Sequence, residues 1–287
     1  MAKKGNYHKA PIMVEEIKRI RNNVLNKDRD FVLVIDGEEG SGKSVLAQQI
    51  ADQLDEKFTI ENIVFNADQF IERLKKAPKH SCIVLDEAYN SANSRSALTE
   101  VNKSLVAVGT EMRQRNLFVI IVLPTFFDLD KYFALWRSRA LLHVYFDREG
   151  KRGNYLIFPK RSKKYLYLTG KKFYDYSKPE SPYPVCRFDN YYPVDEQEYR
   201  KKKAEAFKKR VVSNIAKRWK LQRDALVKEM YHNIEVKSAK FEKIFLSWGA
   251  KPVSQREIQR IVQNFAERDA EEAIEGDVAS DEGDKAT

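Results

Sequence analysis

The most constraining stretch of this chain is a run of six apolar or strand-ending residues, Phe31 to Asp36 (FVLVID), followed directly by GEEGSGKS. The run is rich in β-branched residues, too short for a helix and stopped by glycine, as in a strand buried on both faces of a parallel sheet. Gly37, Glu38, Glu39, Gly40, Ser41, Gly42, Lys43 and Ser44 match the pattern G-x-x-x-x-G-K-[ST], and they lie where it is required, after a strand and before a helix. Glycines at these positions let successive backbone N–H groups turn inward as an anion nest. Lys43 then reaches the β- and γ-phosphates of a nucleotide, Ser44 supplies a hydroxyl to Mg²⁺, and the N-terminus of the helix expected from Gly42, with Val45 in its first turn, adds its dipole. The expected ligands are therefore ATP and Mg²⁺.

A second short apolar run, CIVLDE from Cys82 to Glu87, puts two acids at the carboxyl end of another buried strand. This is the edge where ligands gather in open α/β sheets. Asp86 reads as the carboxylate that holds Mg²⁺, largely through water, and Glu87 as the base that orients and polarises an attacking water. Kinases of small acceptors have no need of that glutamate, so its presence favours hydrolysis.

Around these motifs, strands and helices alternate. A helix is expected over Val14–Leu25, another over Gly42–Leu54, a strand at Ile63–Phe65, a helix over Asp68–Lys76, a strand at Ser81–Asp86 and a long helical stretch from Ser96 to Arg115. Strands Leu117–Leu123 and Leu141–Phe146 flank a helical segment near Lys131–Trp136. The pattern predicts an α/β, RecA-like P-loop core over residues 31–147 with a parallel sheet covered on both faces, preceded by an arm and helix over 1–30. In 148–194, Tyr155–Phe158 and Tyr165–Leu168 read as a β-hairpin and the Tyr/Pro-rich remainder as an extended strap. A basic, mainly helical extension spans 195–265, and 266–287 is an acidic tail whose composition cannot bury a core.

Composition narrows the function classes. The net charge of +10 understates the body, because the tail carries nine acids against two bases, leaving about +17 elsewhere. Such a body attracts polyanions, of which nucleic acid is the commonest inside cells. Two cysteines, Cys82 and Cys186, cannot form a disulfide framework and have no zinc-spaced neighbours, so both read as free thiols. No apolar run approaches a membrane span and the start has no apolar signal region, which points to a soluble, cytoplasmic protein with no membrane contact.

Charge developing on a transferred phosphoryl group is stabilised by guanidinium. Arg113 and Arg115 close the long helix before one strand, and Arg137 and Arg139 precede another; each pair is either a source of that cation or a set of helix-end charges completing the macrodipole. Thr125 follows the strand Leu117–Leu123, where many hydrolysing P-loop proteins carry a polar sensor, and it reads equally as an ordinary loop threonine.

Taken together, GEEGSGKS, CIVLDEAYN, EMRQRNLFVIIVLPT and WRSRALLHVYF resemble the ATPase core of the FtsK–HerA superfamily, most closely the zonula occludens toxin-like ATPases of phages and mobile elements. The resemblance covers Phe31 to Asp147 and is strongest at the two Walker motifs. It implies an additional-strand, catalytic-glutamate ATPase that assembles as a ring and moves or packages DNA, with Arg139 at the position of an arginine preceding the last core strand. At Leu123-Pro124-Thr125 the chain departs from the Thr-Gln sensor frequent in the family. It also lacks the membrane span of many toxin-like members, so a membrane-bound secretion role is not implied.

The basic helix offers Lys201, Lys202, Lys203, Lys208, Lys209 and Arg210 as phosphate contacts, or simply a solvated face. Beyond it, Phe241, Ile244, Phe245 and Trp248 form an apolar stripe. Gly249 ends that helix and Ser254–Glu257 is a capping box opening another. This spacing suits a helix-turn-helix with Gln255, Arg256, Gln259 and Arg260 exposed, or a plain helical hairpin for oligomer contact. The expected function is an ATP-hydrolysing DNA motor of a virus, phage or mobile element, working as a homo-oligomeric ring. The rivals are a helicase loader or AAA-type remodeller with a protein partner at the C-terminal region, a P-loop kinase of a small acceptor, and a DNA-binding structural protein.

Overall fold

The computed structural model describes residues 7–86 and 109–233, together with Arg256, Ile258, Arg260, Ile261 and Gln263. Residues up to Phe207 form one compact unit and residues from Lys208 onward a second. In the first unit, α1 (Pro11–Asn26) precedes β1 (Phe31–Gly37), α2 (Lys43–Leu54), β2 (Ile63–Val64) and α3 (Ala67–Lys76). Then come β3 (Cys82–Leu85), α4 (Gly109–Gln114), β4 (Phe118–Val122), β5 (Ala140–Tyr145), β6 (Asn154–Pro159), α5 (Lys160–Gly170) and β7 (Cys186–Arg187). The helix α6 (Glu196–Asn233) begins in this unit and its later residues belong to the second.

The strands make one sheet in the order β2-β3-β4-β1-β5-β6-β7. The first five are parallel, while β6 and β7 are antiparallel additions at one edge. Every residue of β1 is buried, which explains its uninterrupted apolar run. Its side chains alternate between two cores. Phe31, Leu33 and Ile35 join Phe118, Ile120 and Val122 of β4 on the face covered by α1 and α2. Val32 and Val34 join Val119 and Ile121 on the face covered by α3 and α5. Burial of these branched side chains, roughly 1.5–3 kcal/mol each, is the main term holding the loop-bearing strand in the centre.

Two expectations are corrected here. Tyr165–Leu168 is not a strand: it lies within α5, whose buried residues are Lys163, Leu166, Tyr167 and Gly170, a helical i, i+3, i+4, i+7 face. The hairpin is instead made by β5 and β6, with Ala140 opposite Pro159 and Tyr145 opposite Asn154. Within residues 148–194, β6 and β7 extend the sheet at its antiparallel edge. The strap is largely irregular, as expected, apart from β7. Cys82 and Cys186 are buried free thiols. Among the described residues, no helix is long and apolar enough to cross a membrane.

Glu87, the stretch from Ser96 to residue 108, the apolar stripe Phe241–Trp248, most of the capping box, Gln255, Gln259 and the acidic tail lie outside the described residues.

Candidate functional site

The turn between β1 and α2 is built on left-handed backbone. Gly37, Gly40 and Gly42 have φ of 138°, 77° and 101°. At Gly37 a side chain is excluded outright, since a Cβ would sit 1.9 Å from the carbonyl oxygen of Val144. Gly42 is the N-cap of α2, and a Cβ there would press on the ring of Phe188 at 3.0 Å. The amides at the start of α2, Lys43 and Ser44, have no carbonyl within the helix to bond. Lys43 curls back so that Nζ donates to the carbonyls of Gly37 at 2.7 Å and Glu38 at 2.6 Å.

Ser44 Oγ donates to Oδ1 of Asp86 at 2.9 Å. Asp86 ends β3 and is buried, with its own N–H donating to the carbonyl of Val64 at 2.8 Å. Its other oxygen, Oδ2, accepts from the phenol of Tyr199 at 2.5 Å and lies 3.9 Å from Nζ of Lys203. Ser44, Tyr199 and Lys203 border a cavity of about 430 Å³ lined by the loop (Glu39, Gly40, Gly42, Lys43, Ser44, Val45), the end of β4 (Val122, Leu123, Pro124), Arg152, the strap (Asn190, Tyr192) and α6 (Tyr199, Arg200, Lys203). A helix start, a lysine and two hard oxygen donors suit an oxyanion accompanied by a divalent cation.

Thr125 is not among the lining residues. It caps the short 3₁₀ turn Phe126–Asp128 by accepting from Phe127 N–H, and its hydroxyl bonds that of Tyr176 at 2.9 Å. Tyr176 in turn donates to Asp36, a fully buried carboxylate that also accepts from Phe126 N–H at 2.7 Å and faces Nδ1 of His143 at 2.9 Å. The rings of His143 and Tyr176 stack with centroids 4.0 Å apart. Burial, then the Asp36 charge, push the Tyr176 phenol well above the usual tyrosine range. Because Asp36 immediately precedes Gly37, this cluster braces the foot of the loop.

All four arginines singled out from the sequence lie at the opposite edge of the sheet. Arg139 N–H donates to the carbonyl of Val32, five residues before Gly37 on β1, about 16 Å along a strand. Arg137 is committed to Asp30 in a buried ion pair. Arg115 donates to the carbonyl of Ala77 at 2.8 Å, and Arg113 is exposed on α4. None of these can complete the cavity of its own chain.

The basic helix also divides differently from the expectation. Lys201 and Lys208 are exposed, but Lys202 donates to the carbonyl of Ile60 at 2.8 Å and Lys203 lines the cavity. Burial pulls the Lys202 ammonium below its usual range. These two lysines are therefore not part of an outward basic face, because α6 lays this side against the sheet unit. Of Lys209 and Arg210 only the helical backbone is described. In the second unit, Arg256 and Arg260 are exposed and helical while Ile258 and Ile261 are buried.

Sequence reading missed Tyr199, Arg152, Asn190, Tyr192 and the bracing trio of Asp36, His143 and Tyr176. Nothing local marks them, since each reaches the site only through tertiary packing. No protein-family model matches the chain, and no curated protein matches it.

Proposed function

We propose that the chain is an ATP-hydrolysing DNA motor with a RecA-like P-loop core. The observation that carries this reading is that Lys43 and Ser44 line one cavity at the carboxyl edge of the sheet, with the Asp86 carboxylate hydrogen-bonded to Ser44. The strand order supports it, because β4 is inserted between the loop strand β1 and the Asp86 strand β3, as an additional-strand ATPase requires.

The residues present fit the nucleotide and its metal. The positive-φ glycines shape a turn that a side chain at Gly37 would push against the Val144 carbonyl, and Ser44 and Asp86 offer oxygen donors of the kind Mg²⁺ takes. Bound there, Mg²⁺ with ATP would supply an electrophilic phosphoryl group whose charge is partly neutralised. Lys43 provides the ammonium counter-charge, the loop amides orient the phosphates, and Glu87 acts as the base toward water. Arg139, at the far edge of its own sheet, is proposed to serve the cavity of a neighbouring subunit in a ring.

DNA as the partner is supported by the basic body and by exposed Lys201, Lys208, Arg256 and Arg260. The inward placement of Lys202 and Lys203 favours a second reading, an ATP-driven remodeller whose C-terminal unit grips a protein. Binding of fluorescent ATP with Mg²⁺, in the parent and in Lys43→Ala, tests the core of the proposal. The parent should bind and the variant should not; equal binding by both would remove the loop assignment.

A further inference from the structure

Lys203 sits in a helix whose cations the sequence assigns to a solvent or DNA face, yet its surroundings are those of the cavity. The cavity lining carries four cations, Lys43, Arg152, Arg200 and Lys203, against one acid, Glu39. Of these, Arg200 is already paired with Glu196 at 2.6 Å, one turn earlier on the exposed side of α6. Lys203 instead approaches Oδ2 of Asp86 at 3.9 Å and the hydroxyl of Tyr199 at 3.4 Å.

Tyr199 explains how a lysine on a surface helix reaches this point. It is buried, its ring packs against Phe65 and Tyr192, and its hydroxyl is anchored on Asp86. Positions i and i+4 of a helix share a face, so fixing Tyr199 delivers Lys203 to the same side one turn on. Ser44 takes Oδ1 of Asp86 and the α6 residues take Oδ2. Lys203 is thus at the oxygen of the carboxylate other than the serine's, and it lines the same cavity as Lys43.

We propose that Lys203 is a phosphate-binding residue, its ammonium contacting the terminal phosphoryl oxygens of ATP from the same chain, with Tyr199 as the residue that positions it. The inference rests on the ATP-binding reading above. Ser44 and Asp86 would hold the Mg²⁺ that accompanies ATP and partly neutralises its terminal phosphates, so a cation beside Asp86 would stand at that end of the nucleotide. Lys203 then distinguishes ATP from ADP, a role independent of any arginine supplied by a neighbouring subunit.

The test compares Mg²⁺-ATP and Mg²⁺-ADP affinity in the full chain for the parent, Lys203→Ala, Lys203→Arg and the control Lys18→Ala, an exposed lysine of α1. Lys203→Ala should bind ATP about 10- to 100-fold more weakly, the size of a lost charged hydrogen bond, and ADP within about threefold of the parent. Lys203→Arg should recover most of the loss and Lys18→Ala should show none. Unchanged ATP affinity in Lys203→Ala, or an equal loss of ATP and ADP, would make Lys203 a structural counter-ion of Asp86 and overturn the assignment. A parent that binds neither nucleotide would instead overturn the ATP reading itself, and the role of Lys203 with it.

Discussion

The hydroxyl of Ser44 and the carboxylate of Asp86, 42 residues apart, are joined by a 2.9 Å hydrogen bond. It ties the first turn of α2 to the end of β3, across the inserted strand β4. A buried carboxylate bonded to a serine hydroxyl offers two hard oxygen donors to a divalent cation.

From this pair follows the first expectation. Ser44→Ala and Asp86→Ala should each abolish most of the Mg²⁺-dependent gain in ATP affinity, about 10-fold or more for Ser44→Ala, while ATP binding without Mg²⁺ changes little. Titrations of nucleotide with and without Mg²⁺ check it. Full Mg²⁺ dependence in Ser44→Ala would place the metal elsewhere.

Arg137 and Arg139, two residues apart, should separate cleanly. Arg137→Ala leaves Asp30 buried without its partner, at a cost of about 3–5 kcal/mol, a fall in Tm of roughly 10 °C for a unit of this size. Arg139→Ala should change stability by less than about 0.5 kcal/mol yet stop turnover, if it serves a neighbour's site. Mixing Arg139→Ala subunits with Glu87→Gln subunits should then restore part of the activity. No recovery in a mixture shown to co-assemble would refute the in-trans role of Arg139.

The same two arginines show how far the sequence could be read. The apolar runs of β1, β3 and β4 and the spaced glycines announce the sheet and the loop directly, because burial on both faces and positive φ each demand particular residue types. The far-edge position of Arg139 followed from its place before a parallel strand. The pairing of Arg137 with Asp30 could not be seen, since the two are 107 residues apart. In α5 the period was hidden by Lys163: counted as a solvent residue it breaks the helical stripe, and Tyr165 to Leu168 then reads as an alternating strand. Tyr199 and Lys203 were obscured in the opposite way, by lying in a run of cations where composition suggested a uniform exposed face.

Lys163 yields a pH prediction. Burial, reinforced by Lys164, Lys160 and Arg139, pulls its pKa down to about 7, while its ammonium donates to the carbonyl of Ala134. A lysine depressed in the folded state binds fewer protons there than in the unfolded chain between that value and the usual lysine range. Its penalty is therefore full below pH 7 and fades as pH rises toward 10. Relative to Lys163→Met, the parent should gain stability over that interval by at most about 1.4 kcal/mol per pH unit. Denaturant melts at pH 7, 8 and 9 check the slope; a flat difference would mean that Lys163 titrates as an ordinary lysine.

Phosphate contacts by lysine release counterions from DNA, so affinity should fall steeply with salt. Neutralising exposed Lys201 and Lys208 together with Arg256 and Arg260 should weaken binding on all sequences alike and reduce the salt slope by up to about four. Binding isotherms at several salt concentrations decide it. An unchanged slope in the quadruple variant would take these residues off the DNA surface.

The central claim, a nucleotide cavity driving work on DNA, is tested most directly by the rate of phosphate release from ATP with no nucleic acid, with single-stranded DNA and with duplex DNA, in the parent and in Lys43→Ala. The account predicts hydrolysis by the parent that at least one form of DNA accelerates, and none by Lys43→Ala under any condition. Hydrolysis indifferent to both forms of DNA would contradict the motor and favour the remodeller, and hydrolysis that survives in Lys43→Ala would contradict the cavity itself as the site of the chemistry.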